Sequence, residues 1–219
     1  MSKKVGEIPK PAVENFKKGR KLYFVPLVFG GKGSPDDYRK KLNRYWEQAE
    51  KQIGELEFKL GPVAKIYHEL LSTGGKEGIK TIKELNKESH KIIKRVIEKG
   101  GQLIETEDKE TLTEFMDWSR CLAIGLQNQK VISMVSQSYI DAGKKRNESI
   151  AKRLDETLGA DEIGIMFMRE GHQVQFPSDI QVFYVAPPAL DEINRWLRDY
   201  KTRKTQEANE EQNIGETPE

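Results

Sequence analysis

Arg169-Glu170-Gly171-His172 is the polar group of residues with the most chemistry to offer in this chain. Arg169 supplies a planar fork suited to phosphate or carboxylate, and His172 titrates near neutral pH. Gly171 gives the positive φ that a tight hairpin turn between two strand-like runs needs, which would present both side chains to solvent or a ligand. The plainer assignment is a turn in which Arg169 pairs with Glu170 or Asp179, an exposed contact worth about 0–1 kcal/mol.

Gly30-Gly31-Lys32-Gly33-Ser34 stands before a helix start, where backbone N–H groups can bind an anion and Lys32 would add a cation. The spacing departs from the phosphate-loop pattern, Pro35 removes one donor, and Asp36 and Asp37 repel phosphate, so a flexible strand-to-helix loop is the simpler reading. Trp118 and Arg120 share one helical turn and could stack a ring and clamp a phosphate. A core role for Trp118 and Cys121, with Arg120 paired to an acid, is the commoner arrangement. Lys144, Lys145, Arg146, Lys152 and Arg153 form a basic stretch able to touch an RNA backbone, although most such runs are solvated helix faces. The histidines, His68, His90 and His172, share no metal spacing with each other or with Cys121.

These residues need elements to position them. Lys21–Phe29 is β-branched and aromatic, and Pro26 within it predicts an edge strand or a break. Ser34 as N-cap and Pro35 at the first helical position open a helix to about Leu60. A short helix is expected over 63–71, with Ile66, Tyr67 and Leu70 inward. A longer one follows over 76–99, ended by Gly100-Gly101. Two more are expected over 108–126 and 127–158. Ile163–Met168 and Ile180–Val185 read as strands, with His172–Phe176 as a hairpin partner. Pro187-Pro188 then starts a helix to Tyr200 that buries Leu190, Ile193, Trp196 and Leu197 on one face.

The charged fraction of 33% against 36% hydrophobic suits solvated helices that each bury one stripe. A net charge of +2 argues against nucleic-acid binding through overall charge. The one cysteine excludes an intrachain disulfide, the N-terminus lacks the apolar core of a secretory signal, and no apolar run is long enough to span a bilayer. A cytoplasmic protein is expected, without membrane association, cofactor or metal.

Gly100-Gly101-Gln102 matches the tripeptide of peptide-release factors, yet it falls where a helix needs its stop and lacks a surrounding basic loop. A second likeness lies further on. Arg146-Asn147-Glu148, Ile150-Ala151, Arg153 to Leu158 and Glu162 to Phe167 precede His172-Gln173-Val174, Phe176-Pro177, Asp179-Ile180 and Val182. This segment, within 146–200, resembles the C-terminal domain of bacterial and archaeal proteins related to eukaryotic-type peptide-release factors. The remainder, Tyr23 to Met134, is similar to uncharacterised bacterial and archaeal proteins. The resemblance implies a Rossmann-like C-terminal unit and a link to the ribosome or its rescue; it does not imply hydrolysis.

The fold expected is α/β and helix-dominated: a long-helix bundle packed with a small three- or four-stranded sheet. Residues 1–19 would be a loose arm, 20–200 a single domain (helical over 35–158, α/β over 160–200), and 201–219 a disordered tail. The functional expectation is a non-catalytic cytoplasmic interaction protein associated with translation, with the ribosome, RNA or a second copy as partner. The alternative is a nucleotide- or anion-binding enzyme with its site at the strand ends near Gly30–Gly33 and Arg169–His172.

Overall fold

The computed structural model describes residues 18–31 and 33–214. Among them, five strands form one parallel sheet: β1 (Lys21–Pro26), β2 (Lys65–His68), β3 (Gln102–Leu103), β4 (Ile163–Met168) and β5 (Gln181–Tyr184), in the order β3-β2-β4-β1-β5. Helices α1 (Asp36–Leu60), α2 (Gly75–Leu85), α3 (Lys87–Glu98), α4 (Lys109–Ala123), α5 (Gln129–Thr157) and α6 (Pro188–Ile214) complete a helix-dominated α/β fold.

β1 and β4 are buried at every position, which is why they read as unbroken apolar runs: both sheet faces are covered. Alternate residues serve separate cores. Tyr23, Val25, Ile66, Ile165 and Phe167 pack with α1, α3 and α6 on one face. Leu22, Phe24, Tyr67, Met166 and Met168 meet Ile150 and Leu154 of α5 and Leu158 just after it on the other, with Val174 and Ile180 beside them.

Several local expectations are corrected. The segment 63–71 is not a helix: it holds β2, with Ile66 in one core and Tyr67 in the other. A short apolar run at three- and four-residue spacing fits either element, and burial on both faces decides for the strand. β3 was missed because two residues carry no pattern. β1 lies inside the sheet rather than at its edge. Pro26 is tolerated there because it is the last residue, beyond the Phe24–Tyr184 pair that ends the contact with β5. No strand forms over His172–Phe176, and β4 and β5 are not a hairpin; each lies parallel to β1.

The helix expected over 76–99 divides at Asn86. Its side-chain oxygen accepts from the N–H groups of Glu88 and Ser89 at 3.1 and 2.9 Å, and its amide donates to the Val28 carbonyl at 2.9 Å. α3 stops as expected, with Gly100 at φ +100°. At the start of α1 the N-cap position falls on Pro35, not Ser34. Ser34 instead closes the preceding turn, its Oγ accepting from the Gly31 N–H at 2.9 Å. α4 has no buried residue, so Trp118 and Cys121 are only partly covered. Leu197 is exposed and Trp196 half-buried. α6 runs past Tyr200 to Ile214, where disorder was expected. Trp196 stacks on Tyr200 at 4.8 Å, and Lys204 pairs with Glu207 one turn away. Residues 1–17, the bulk of the expected N-terminal arm, lie outside the described residues.

Among the described residues no helix is long and apolar enough to cross a membrane.

Candidate functional site

The parallel register of β2 and β4 sets the residues that follow each strand side by side. Glu69 follows β2, and its N–H donates to the Phe167 carbonyl at 2.8 Å. Arg169 follows β4, and its N–H donates to Glu69 Oε2 at 2.9 Å. β3 leads to Thr106 and Glu107, whose N–H groups both reach the Leu71 carbonyl, at 3.0 and 2.9 Å. α5 brings Arg146 in from above. Its Nε and Nη2 each meet a Glu107 oxygen at 2.6 Å, and Nη2 also reaches Glu69 Oε1 at 3.3 Å. Arg169 Nη2 donates to the same Glu69 oxygen at 2.8 Å.

The result is a ladder, Glu107–Arg146–Glu69–Arg169, buried at one end and open at the other. The side chains of Glu107, Glu69 and Arg146 are 0, 4 and 7% exposed, whereas that of Arg169 is 52% exposed. Burial pushes the Glu69 carboxyl up, but the hydrogen bonds and charge of Arg169, with the charge of Arg146, outweigh it and hold the group below its ordinary range. Burial likewise opposes the charge of Arg146, and its bonds to Glu107, with the charges of Glu107 and Glu69, prevail and raise its pKa. Leu70 sits at φ +67°, a strained conformation for a branched residue. Its N–H donates to Glu107 Oε1 at 2.6 Å, which holds the turn in place.

His68 lies beneath the ladder as the last residue of β2, not on a helix. Its Nδ1 donates to the Glu69 carbonyl at 2.6 Å, and Nε2 meets Ser89 Oγ at 3.1 Å. Burial lowers its pKa to about 4, so the ring is neutral. His172 is half-buried between Phe24 and Phe176, with ring centroids at 4.8 and 5.4 Å. Its Nδ1 is shielded and, among the described residues, has no hydrogen-bond partner. Burial lowers its pKa, opposed by the charge of Glu69.

Above the open end lies a crevice of about 390 Å³, lined by Glu69, Arg146, Arg169 to Gln173, and the α4–α5 hairpin. The hairpin wall is aromatic. Phe115 stacks on Tyr139 at 5.0 Å, and the Arg146 guanidinium lies 4.9 Å from the Phe115 centroid.

The structure therefore brings Arg169, His172, Arg146 and Lys144 together. It turns Arg146 inward, away from the solvated basic face expected for it. The other basic candidates stand apart in exposed pairs: Arg120 with Asp117, Lys145 with Glu114, Lys152 with Glu156, and Arg153 with Glu105. Lys32 lies outside the described residues. Arg169 pairs with neither Glu170 nor Asp179; Asp179 is held by Arg20 at 2.6 Å. Glu69, Glu107, Phe115 and Tyr139 escaped the reading of the sequence. Glu69 was hidden inside a segment read as helix, and Glu107 was one acid among several before a helix start.

Among the described residues no group of His, Cys, Asp and Glu side chains is arranged to hold a metal ion. Comparison with protein-family models, curated proteins and solved structures finds no match.

Proposed function

We propose that this is a non-catalytic interaction protein associated with translation, and that its recognition face is the crevice with the α4–α5 hairpin beside it. The observation that carries the reading is that the acids and the histidine on and beneath the crevice floor are already committed. Glu69 and Glu107 are committed to arginines, and His68 is bonded at both ring nitrogens. General acid–base catalysis needs a group free to exchange a proton with a substrate, and these three are not free. What they form instead is a rigid floor. The hairpin supports the same reading. α4 packs on α5 and buries none of its own residues, while Leu122, Ile124, Val131 and Met134 near the hairpin turn remain exposed. The resemblance of 146–200 to release-factor-related proteins suggests the ribosome as the partner.

Co-sedimentation with ribosomes through a sucrose cushion, at two salt concentrations, tests this. The wild-type chain should pellet with ribosomes. A variant carrying Ile124→Asp and Met134→Asp should stay in the supernatant with an unchanged melting temperature. Wild-type protein that never pellets would remove the link to translation.

A further inference from the structure

Resting on the crevice as the recognition face, we infer that it takes a small ligand carrying an oxyanion, phosphate or carboxylate, on a flat ring, with Arg169 as the clamp.

The place is set by topology. β2 and β4 are neighbours, but the chain leaves them toward opposite faces of the sheet. After β2 it enters α2 and α3, whose Ile82, Ile92 and Val96 join one core; after β4 it crosses the other face through Val174 and Ile180. Where segments diverge at the carboxyl ends of parallel strands, an open crevice is left between them.

Arg169 is held ready for an anion. Nε and Nη2 rest on Glu69, and that carboxylate is itself fixed by Arg146 and by the Arg169 N–H. No hydrogen bond engages Nη1 among the described residues, and half of the side chain is exposed. A guanidinium anchored on one edge presents the other for bidentate contact without further loss of side-chain freedom.

Inside the ladder two arginines and two glutamates cancel. At the open side stands Lys144, with Glu148 only at 3.9 Å. Glu170 is turned away, accepting from the Tyr184 hydroxyl at 2.9 Å and from Asn194 Nδ2 at 3.0 Å. The His172 ring, packed against Phe24 and Phe176, closes the crevice edge. Opposite them the Phe115–Tyr139 stack gives a flat wall, extended by Ile140. A volume of about 390 Å³ suits a ligand of nucleoside-monophosphate size.

Isothermal titration of the full chain with four probes tests this. Adenosine monophosphate carries ring and phosphate, phenylacetate ring and carboxylate, adenosine the ring alone, and inorganic phosphate the oxyanion alone. At least one of the first two should bind saturably, at least about tenfold more tightly than either single-feature probe; which of them does so identifies the oxyanion. Arg169→Met should weaken that binding about tenfold or more, and Tyr139→Ala severalfold. Arg169→Lys should weaken it too, because the charge remains but the fork is lost. Lys91→Ala, on the exposed side of α3, should change nothing. If Arg169→Met fails to fold, backbone chemical-shift changes in the wild type on adding the probe should centre on 139–147 and 169–173. Absence of binding by every probe at millimolar concentration overturns the inference. So do shifts centred elsewhere, or undiminished binding by a folded Arg169→Met. Protein that pellets with ribosomes yet binds no probe overturns only the ligand; protein that binds a probe without pelleting overturns only the link to translation.

Discussion

Arg146→Met should destabilise the protein by about 3–5 kcal/mol, the cost of breaking a buried ion pair by removing one partner. The structure sets this magnitude. Arg146 makes two bonds of 2.6 Å to Glu107, a longer one of 3.3 Å to Glu69, and lies over the Phe115 ring. Each charge-assisted bond contributes roughly 1.5–3 kcal/mol. Without Arg146, Glu69 keeps Arg169. Glu107, fully buried, keeps only the Leu70 N–H among the hydrogen bonds to its carboxylate, so its charge stands almost unpaired. The loss is a large share of the 5–15 kcal/mol that a domain usually has. Adding Glu107→Gln to Arg146→Met removes the stranded charge, and the double variant should recover to within about 2 kcal/mol of wild type. Urea unfolding of wild type, both single variants and the double gives the coupling energy directly, provided the m-value is unchanged. Two results would refute the reasoning: a loss below about 1 kcal/mol for Arg146→Met, or strictly additive losses in the double variant.

The histidines predict a pH dependence. The His68 pKa is lowered from 6.5 to about 4 by burial, so the unfolded chain binds its proton more readily. The stability it contributes is complete above about pH 6.5 and falls as the pH drops toward 4, by up to about 1.4 kcal/mol per pH unit. His90 and His172, also shifted down, add in the same direction, and Glu69 adds below its ordinary 4.5. His68→Gln should flatten the urea midpoints between pH 4.5 and 6.5; an unaltered slope would show that His68 is not the source. Gly101→Ala should cost roughly 1–3 kcal/mol, since an added Cβ would lie 2.6 Å from Val96 Cγ1 and 3.0 Å from its carbonyl oxygen. Gln102→Ala, at an exposed side chain, should stay within about 0.5 kcal/mol, and equal melting shifts for the two would refute the steric account. Trp196→Ala should cost roughly 2 kcal/mol, less than the 3–5 of a buried tryptophan, because Trp196 is half-buried against Tyr38 and Tyr200. A loss above about 4 kcal/mol, measured by urea unfolding, would place that ring at the centre of the core.

What the residues alone determined is whatever is encoded locally. β1 and β4 were legible because strands covered on both faces are apolar at nearly every position. The stop after α3 was legible because Gly100 adopts a φ of +100° that other residues resist. The apolar stripe of α1 was legible because Tyr45, Trp46, Ala49 and Ile53 repeat with the helical period. Arg169 and His172 stood out by residue type and by Gly171 between them. Tertiary structure decided the rest. β2 and β3 exist because neighbouring strands supply their hydrogen bonds, and segments of four and two residues are too short to show a period. The ladder joins positions 39, 77 and 100 residues apart. No spacing rule links such residues. The parallel register places Glu69 beside Arg169, and the return of α5 over the sheet delivers Arg146. Opposite charges so far apart along a chain become partners only when the fold sets the elements that carry them side by side.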